Sequence, residues 1–180
     1  MDTRKLRSIA AAVLFLSVPS AYAGTFDIEY LPTNGDLTDA IGFGIYGRNE
    51  EGVHMYTNML MTIVTRPHTY ENLNVNSFGD PVTGYYKEPF VFNVGITRAI
   101  GPVLLGYVGV GYASIKTTAR KFDPMYILSP NGVYFVPDPS QNSSGINLNV
   151  GAVLSLGKLA LNIGHNSFIK STYFGIGASF

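Results

Sequence analysis

Apolar and polar residues alternate along most of the chain beyond residue 24. Between residues 145 and 156, for example, Ile146, Leu148 and Val150 fall on one face while Asn147 and Asn149 fall on the other. A period of two is typical of a β-strand, because successive side chains point to opposite faces. The alternation recurs in eight segments, residues 25–30, 40–48, 53–65, 90–99, 103–115, 145–156, 159–166 and 171–180. The sequence therefore predicts an all-β chain of eight strands.

The lengths of these segments and the lack of long apolar runs favour strands that cross a membrane. No run of about 18 apolar residues follows residue 24, and most segments approach the roughly 9–11 residues of a tilted transmembrane strand. Inside a bilayer every backbone N–H and C=O group must be hydrogen-bonded within the protein, so a sheet there must close on itself. We predict an eight-stranded antiparallel up-and-down transmembrane β-barrel over residues 24–180. A soluble barrel or sandwich is the alternative, because alternation alone does not say which face meets water.

The connections between the segments are unequal in length. Short links occur near Asn49, Ile100 and Gly157, whereas residues 66–89 and 116–144 form two long polar segments. Outer-membrane barrels have short periplasmic turns and long external loops, so we predict that residues 66–89 and 116–144 are external loops. Within the second, apolar residues 125–128 and 133–136 flank a turn at residues 129–132, which predicts a short hairpin.

The first 23 residues predict export. Arg4, Lys5 and Arg7 precede an apolar run that ends near Pro19, and the small residue Ala23 closes the segment. This is the pattern of a secretory signal peptide, with cleavage expected after Ala23. We therefore expect residues 1–23 to be removed and the mature chain to reside in the cell envelope.

Charge and composition exclude several kinds of chemistry. Residues 24–180 contain nine lysines and arginines and eleven aspartates and glutamates, a formal net charge of −2, so a nucleic-acid partner is not expected. His54, His68 and His165 have no metal-ligand spacing, and we predict no metal and no cofactor. Residues 42–47 match the dinucleotide-binding string Gly-x-Gly-x-x-Gly, but no helix follows, so we expect these glycines to make room for inner side chains such as Tyr46.

The last ten residues, 171–180, place Phe174, Ile176 and the terminal Phe180 on one face. They resemble the carboxy-terminal assembly signal of Gram-negative outer-membrane barrels. With the signal peptide and the strand plan, the chain resembles the small outer-membrane β-barrel superfamily of opacity-like and outer-membrane-protein-A-type barrels. The resemblance implies location in the outer membrane, contact with its lipid and lipopolysaccharide, and the barrel-assembly machinery as a partner during biogenesis.

A His-x-Ser pair, His165 and Ser167, lies at the predicted external end of the seventh strand. It resembles the lipid A deacylase barrels, in which His, Ser and Glu act on lipopolysaccharide acyl chains at the outer rim. A serine nucleophile needs a base and a group that orients the base. Here Lys170 or Thr172 stands where that family has Glu, and Phe168 stands where Asn follows the Ser.

Two functions follow from these patterns. The first is a non-enzymatic outer-membrane barrel with a structural or surface-interaction role, whose aromatic-rich external loops could meet an extracellular partner. Lys116, Arg120 and Lys121 would contact lipopolysaccharide phosphates. The alternative is a lipid A acyl-ester hydrolase that uses His165 and Ser167. A channel is disfavoured, because side chains just fill the interior of an eight-stranded barrel.

Overall fold

The residues that the structure describes fold into nine β-strands and two short 3-10 turns. The computed structural model describes residues 23–48, 52–63 and 69–180. The predicted signal peptide up to residue 22, the link at Asn49 and the predicted loop residues Arg66 and His68 lie outside the described residues. The strands are β1 (Gly24–Leu31), β2 (Ala40–Gly47), β3 (Val53–Met61), β4 (Val82–Ala99), β5 (Leu104–Phe122), β6 (Val133–Pro137), β7 (Ser143–Leu156), β8 (Leu159–Asn166) and β9 (Ser171–Ser179). The 3-10 turns are Ser77–Gly79 and Pro139–Gln141.

Eight of the strands form a closed antiparallel barrel. Around the barrel the order is β1, β2, β3, β4, β5, β7, β8 and β9, and β9 pairs with β1 through Thr25 and Ser179 to close the sheet. The ninth strand, β6, lies outside the barrel and pairs with the far end of β5. The predicted eight-stranded up-and-down barrel is confirmed.

The barrel has two unlike ends. Gly24 and Phe180 hydrogen-bond to each other at one end, which also carries the turns at residues 100–103 and 157–158. The opposite end, which we call the long-loop end, carries residues 32–39, 62–63, 69–81, 123–142 and 167–170. In the part of the chain that the structure describes, no helix is long and apolar enough to cross a bilayer.

Strands β4 and β5 are much longer than the alternation predicted. Residues 82–89 belong to β4 and residues 116–122 to β5, although both stretches were assigned to loops. The predicted hairpin of residues 125–128 and 133–136 is wrong, because residues 125–128 are not a strand and β6 pairs with β5 instead. Pairing with the edge of β5 gives β6 a ladder of backbone hydrogen bonds on an existing sheet. An isolated hairpin with four-residue arms is less stable than such an extended sheet.

The apolar face of each barrel strand points outwards. The exposed apolar side chains form a belt that includes Ile28, Ile41, Val94, Ile96, Val108, Val110, Leu148, Val150, Ile163 and Ile176. Inside the barrel, polar residues are buried instead, among them Glu29, Asn58, Asn93, Asn147, Asn149, Asn162 and Asn166. This distribution contradicts the soluble alternative and is the one that a surrounding bilayer requires.

A polar network fills the interior. The Glu29 carboxyl group accepts hydrogen bonds from the Tyr46 hydroxyl and from Asn58 Nδ2, the latter at 2.9 Å. Asn162 Nδ2 donates to the Tyr46 hydroxyl at 2.8 Å, and the Tyr107 hydroxyl donates to Asn162 Oδ1 at 2.8 Å. Buried polar groups are costly when unpaired, so the network stabilises the packed interior.

Asparagines extend this network towards the long-loop end. Asn93 Nδ2 donates to Asn58 Oδ1 at 2.9 Å, and Asn147 Nδ2 donates to Asn93 Oδ1 at 2.8 Å. Asn166 Oδ1 accepts from Asn147 Nδ2 at 2.8 Å and from Asn149 Nδ2 at 3.1 Å. Since these residues come from β3, β4, β7 and β8, the bonds join strands across the lumen.

Gly44 makes the crowding of this interior possible. A Cβ atom at Gly44 would lie 2.4 Å from the Tyr46 ring, 2.6 Å from Glu29 Oε1 and 2.7 Å from Asp27 Oδ1. Both carboxyl groups and the tyrosine ring therefore occupy the space that any other residue would need. For Gly44, this confirms the expectation that a glycine of residues 42–47 makes room for Tyr46.

We expect Gly44→Ala to destabilise the barrel by about 1–3 kcal/mol, the usual cost of overpacking a filled interior. The measurement is urea unfolding of protein refolded in lipid vesicles, followed by the shift in gel migration between unheated and boiled samples. Gly84→Ala is the matched control, because nothing lies within 4 Å of the added methyl group there. Equal unfolding midpoints for the two variants would contradict the packing described here.

Candidate functional site

A folded lobe rises from the barrel wall at the long-loop end. It comprises residues 69–89 and 116–142, and its centre is a sheet formed by the outer parts of β4 and β5 together with β6. Residues 116–122 of β5 continue past the level at which Ile115 pairs with Ser143 of β7. At a rise of about 3.3 Å per residue, these seven residues carry the sheet roughly 23 Å beyond the wall.

Both edges of the lobe sheet are covered by other segments. On the β4 edge, Thr38 N donates to Lys87 O at 2.8 Å and Lys87 N donates to Asp36 O at 2.9 Å. On the β6 edge, Tyr70 N donates to Phe135 O at 2.9 Å. Each edge is thus bridged at one residue, Lys87 on the β4 side and Phe135 on the β6 side, which interrupts the open backbone that another chain could pair with.

The lobe has an apolar core of its own. Ala119, Tyr134 and Val136 are buried in it, and the partly buried side chains of Tyr70, Leu73, Val75, Tyr85 and Leu128 pack against them. The Tyr134 hydroxyl donates to Asp80 Oδ2 at 2.7 Å. Burial, with the Asp80 carboxylate as a second cause, raises the pKa of Tyr134 above its ordinary value, so this donor keeps its proton.

Lys121, which the sequence placed among the lipopolysaccharide contacts, is fully buried in the lobe. Its Nζ donates to Val75 O at 2.7 Å and to Ser77 O at 2.8 Å. The ammonium group thus ties residues 75–77 to β5 and is not available at the surface. The prediction that Lys121 contacts lipopolysaccharide is therefore wrong. The side chain lies on the inward side of β5, and its hydrogen-bond acceptors belong to a segment about 45 residues away.

Lys116 and Arg120 lie on the opposite, exposed side of β5. Lys116 borders a cleft of about 260 Å³ on the barrel's outer rim, together with Tyr112, Ser114 and Ser144. Arg120 borders a separate cleft of about 310 Å³ with Asp36 and residues 83–86. The structure therefore does not bring the three predicted cations together.

The far end of the lobe exposes three consecutive apolar side chains, which we call the tip. Met125 is 76% exposed, Tyr126 56% and Ile127 77%. The buried Asp123 carboxylate accepts hydrogen bonds from the backbone N–H groups of Met125, Ile127 and Leu128, at 2.8, 2.6 and 2.8 Å. Sequence reasoning missed the tip, because it treated these residues as a hairpin arm.

The structure does not assemble a serine hydrolase site from His165 and Ser167. His165 Nδ1 lies 3.3 Å from Thr172 Oγ1, across the β8–β9 pair. Ser167 Oγ accepts a hydrogen bond from Leu148 N at 2.8 Å. Among the hydrogen bonds of the described residues, none joins the imidazole to the serine and none joins it to a carboxylate.

The three apolar residues of the predicted assembly signal share the outer face of β9. Phe174, Ile176 and Phe180 are all exposed there, on the strand whose pairing with β1 closes the barrel. Their recognition by the assembly machinery stays a prediction.

A closed eight-stranded barrel with an apolar belt and a polar, packed interior is the fold of the small outer-membrane β-barrels. No protein-family model matches the chain, and no curated protein matches it. Two solved structures of Ail, the attachment invasion locus protein of Yersinia pestis, are similar, and one of them is a complex with the heparin analogue sucrose octasulfate. They are 10% and 11% identical to this chain, with TM-scores of 0.47 and 0.46, and each comparison covers 88% of this chain and 99% of the other. A similarity at this level shows no function for this chain.

We expect Lys121→Met to loosen residues 69–80 while the barrel stays folded. The substitution leaves the carbonyl groups of Val75 and Ser77, both partly buried residues, without this donor, at a cost of about 1–3 kcal/mol. Hydrogen exchange followed by mass spectrometry should show lower protection of residues 69–80. Arg120→Met, an exposed neighbour, is the control and should leave protection unchanged. Full protection in Lys121→Met would show that the ammonium group does not hold this segment.

Proposed function

We propose that this chain is a non-enzymatic outer-membrane protein whose barrel anchors the lobe and presents it outside the cell as an interaction surface. The observation that carries the proposal is that the residues beyond the barrel wall are themselves folded. The lobe has a buried core, a buried lysine tie and covered sheet edges. Loops with no role beyond linking strands need none of these features, because a short turn suffices.

The remaining predictions fit this proposal. The pattern of residues 1–23 supports export, with cleavage after Ala23. Phe174, Ile176 and Phe180 would engage the assembly machinery during insertion. Lys116 and Arg120 are exposed above the apolar belt, where cations can attract the phosphates of neighbouring lipopolysaccharide.

The hydrolase hypothesis receives no support from the geometry. A serine nucleophile is activated by a base within about 2.6–3.2 Å of its hydroxyl group. His165 has Thr172 as its partner instead, and Ser167 accepts from a backbone N–H. We therefore assign no catalytic role to His165 or Ser167.

The orientation can be tested with single cysteines, since the chain has no native cysteine. We expect Ile127→Cys, at the tip, to react with a bulky membrane-impermeant maleimide on intact cells. Lys158→Cys, in the turn at the other end of the barrel, should react only after the outer membrane is permeabilised. Labelling in the reverse order would overturn the proposed orientation.

A second measurement tests the absence of lipid A hydrolysis. Purified, refolded protein incubated with lipopolysaccharide should leave the mass of lipid A unchanged, and Ser167→Ala should give the same spectrum. Loss of an acyl chain with the wild-type protein but not with Ser167→Ala would show that the barrel is an enzyme.

A further inference from the structure

The chain contains two Asn-Gly pairs, Asn34-Gly35 and Asn131-Gly132, and both lie in connections at the long-loop end. An asparagine that precedes glycine can lose its side-chain amide without an enzyme. The backbone nitrogen of the glycine attacks the side-chain carbonyl carbon, and because glycine has no Cβ, little hinders the five-membered ring that forms. The reaction needs a free glycine N–H group, a movable asparagine side chain and space for the ring.

Asn131 meets none of these conditions. Gly132 N donates to Ser129 O at 2.9 Å, so the attacking nitrogen is already engaged. Asn131 Oδ1 accepts from Ser129 Oγ at 2.6 Å and from Val133 N at 3.1 Å, which fixes the side chain. Gly132 is buried, and a Cβ atom there would lie 2.8 Å from Asp123 O. The surroundings therefore leave little space for a ring at this turn.

Asn34 meets all three conditions. Asn34, Gly35 and Asp36 are exposed, and nothing lies within 4 Å of a Cβ atom added at Gly35. Among the hydrogen bonds of the described residues, none involves the Asn34 side chain or Gly35 N. The next residue along is held, because Asp36 O accepts from Lys87 N at 2.9 Å. The reactive pair is thus free at the apex of a connection that is anchored to β4.

We propose that Asn34 is a site of spontaneous deamidation. Gly35 N loses its proton to water or hydroxide and bonds to Asn34 Cγ, and the side-chain nitrogen leaves as ammonia. Water then opens the succinimide ring at either of its carbonyl groups. The product is an aspartate, or an isoaspartate in which the main chain runs through the side-chain carboxyl carbon. The net reaction consumes one water and releases one ammonia, with no oxidant, metal or cofactor.

The product places a new carboxylate beside an existing cleft. Gly35 and Asp36 border the cleft of about 310 Å³ that Arg120 also borders. Each conversion takes the formal net charge of residues 24–180 from −2 to −3. An isoaspartate also lengthens the main chain by a methylene group shortly before Asp36, whose carbonyl group bonds to the edge of β4. The inference goes beyond the proposed function, because the chemistry is the same whichever side of the membrane the turn faces.

The test follows both Asn-Gly pairs in one sample. The mature barrel, refolded in lipid vesicles, is kept in warm, mildly alkaline buffer, and its peptides are analysed by mass spectrometry with electron-transfer fragmentation, which separates aspartate from isoaspartate. We expect progressive loss of Asn34, with isoaspartate as the main product, while Asn131 is retained. Gel migration of unheated samples confirms that the barrel stays folded. Equal loss of the two asparagines, or retention of Asn34, would refute the proposal.

Two controls separate the effect of structure from that of sequence. Asn34→Gln keeps the amide and the charge but must form a larger ring, so position 34 should stay unconverted in this variant. In urea, where the full chain is unfolded, Asn34 and Asn131 should be lost at similar rates, because the fold alone protects Asn131. Slow loss of Asn131 in urea would show that its sequence sets the difference, and the structural assignment of Asn34 would then fall.

Discussion

Closure of the sheet is the constraint on which the rest of the structure depends. The pairing of β9 with β1 gives each of the eight barrel strands two neighbours, so backbone groups on both sides of each strand find partners within the sheet. Closure also sets the narrow width of the lumen. Glycines leave space in the lumen, and a polar network fills that space. Gly44 leaves room for the carboxyl groups of Asp27 and Glu29, and Tyr46 and Asn58 donate to Glu29.

Beyond the membrane, backbone groups at the strand edges find partners in other segments of the chain. Strands β4 and β5 continue past the barrel, where β3 and β7 no longer accompany them, and would leave open edges. Residues 36–38 cover one edge, while β6 and Tyr70 cover the other. The lobe is therefore a continuation of the barrel wall. The ladder that β4 and β5 share from the barrel into the lobe joins the two parts.

The alternating pattern predicted all eight barrel strands and their faces, because lipid on one side and a packed lumen on the other impose a period of two. It failed where that environment ends. Residues 82–89 and 116–122 are strands, but water and the lobe core surround them, so their polar residues indicated loops. Lys121 finds its acceptors in a distant segment and β6 finds its partner in β5, contacts that no local pattern contains. His165 and Ser167 show the opposite case. They are close in sequence, but each side chain has a different hydrogen-bond partner in the structure.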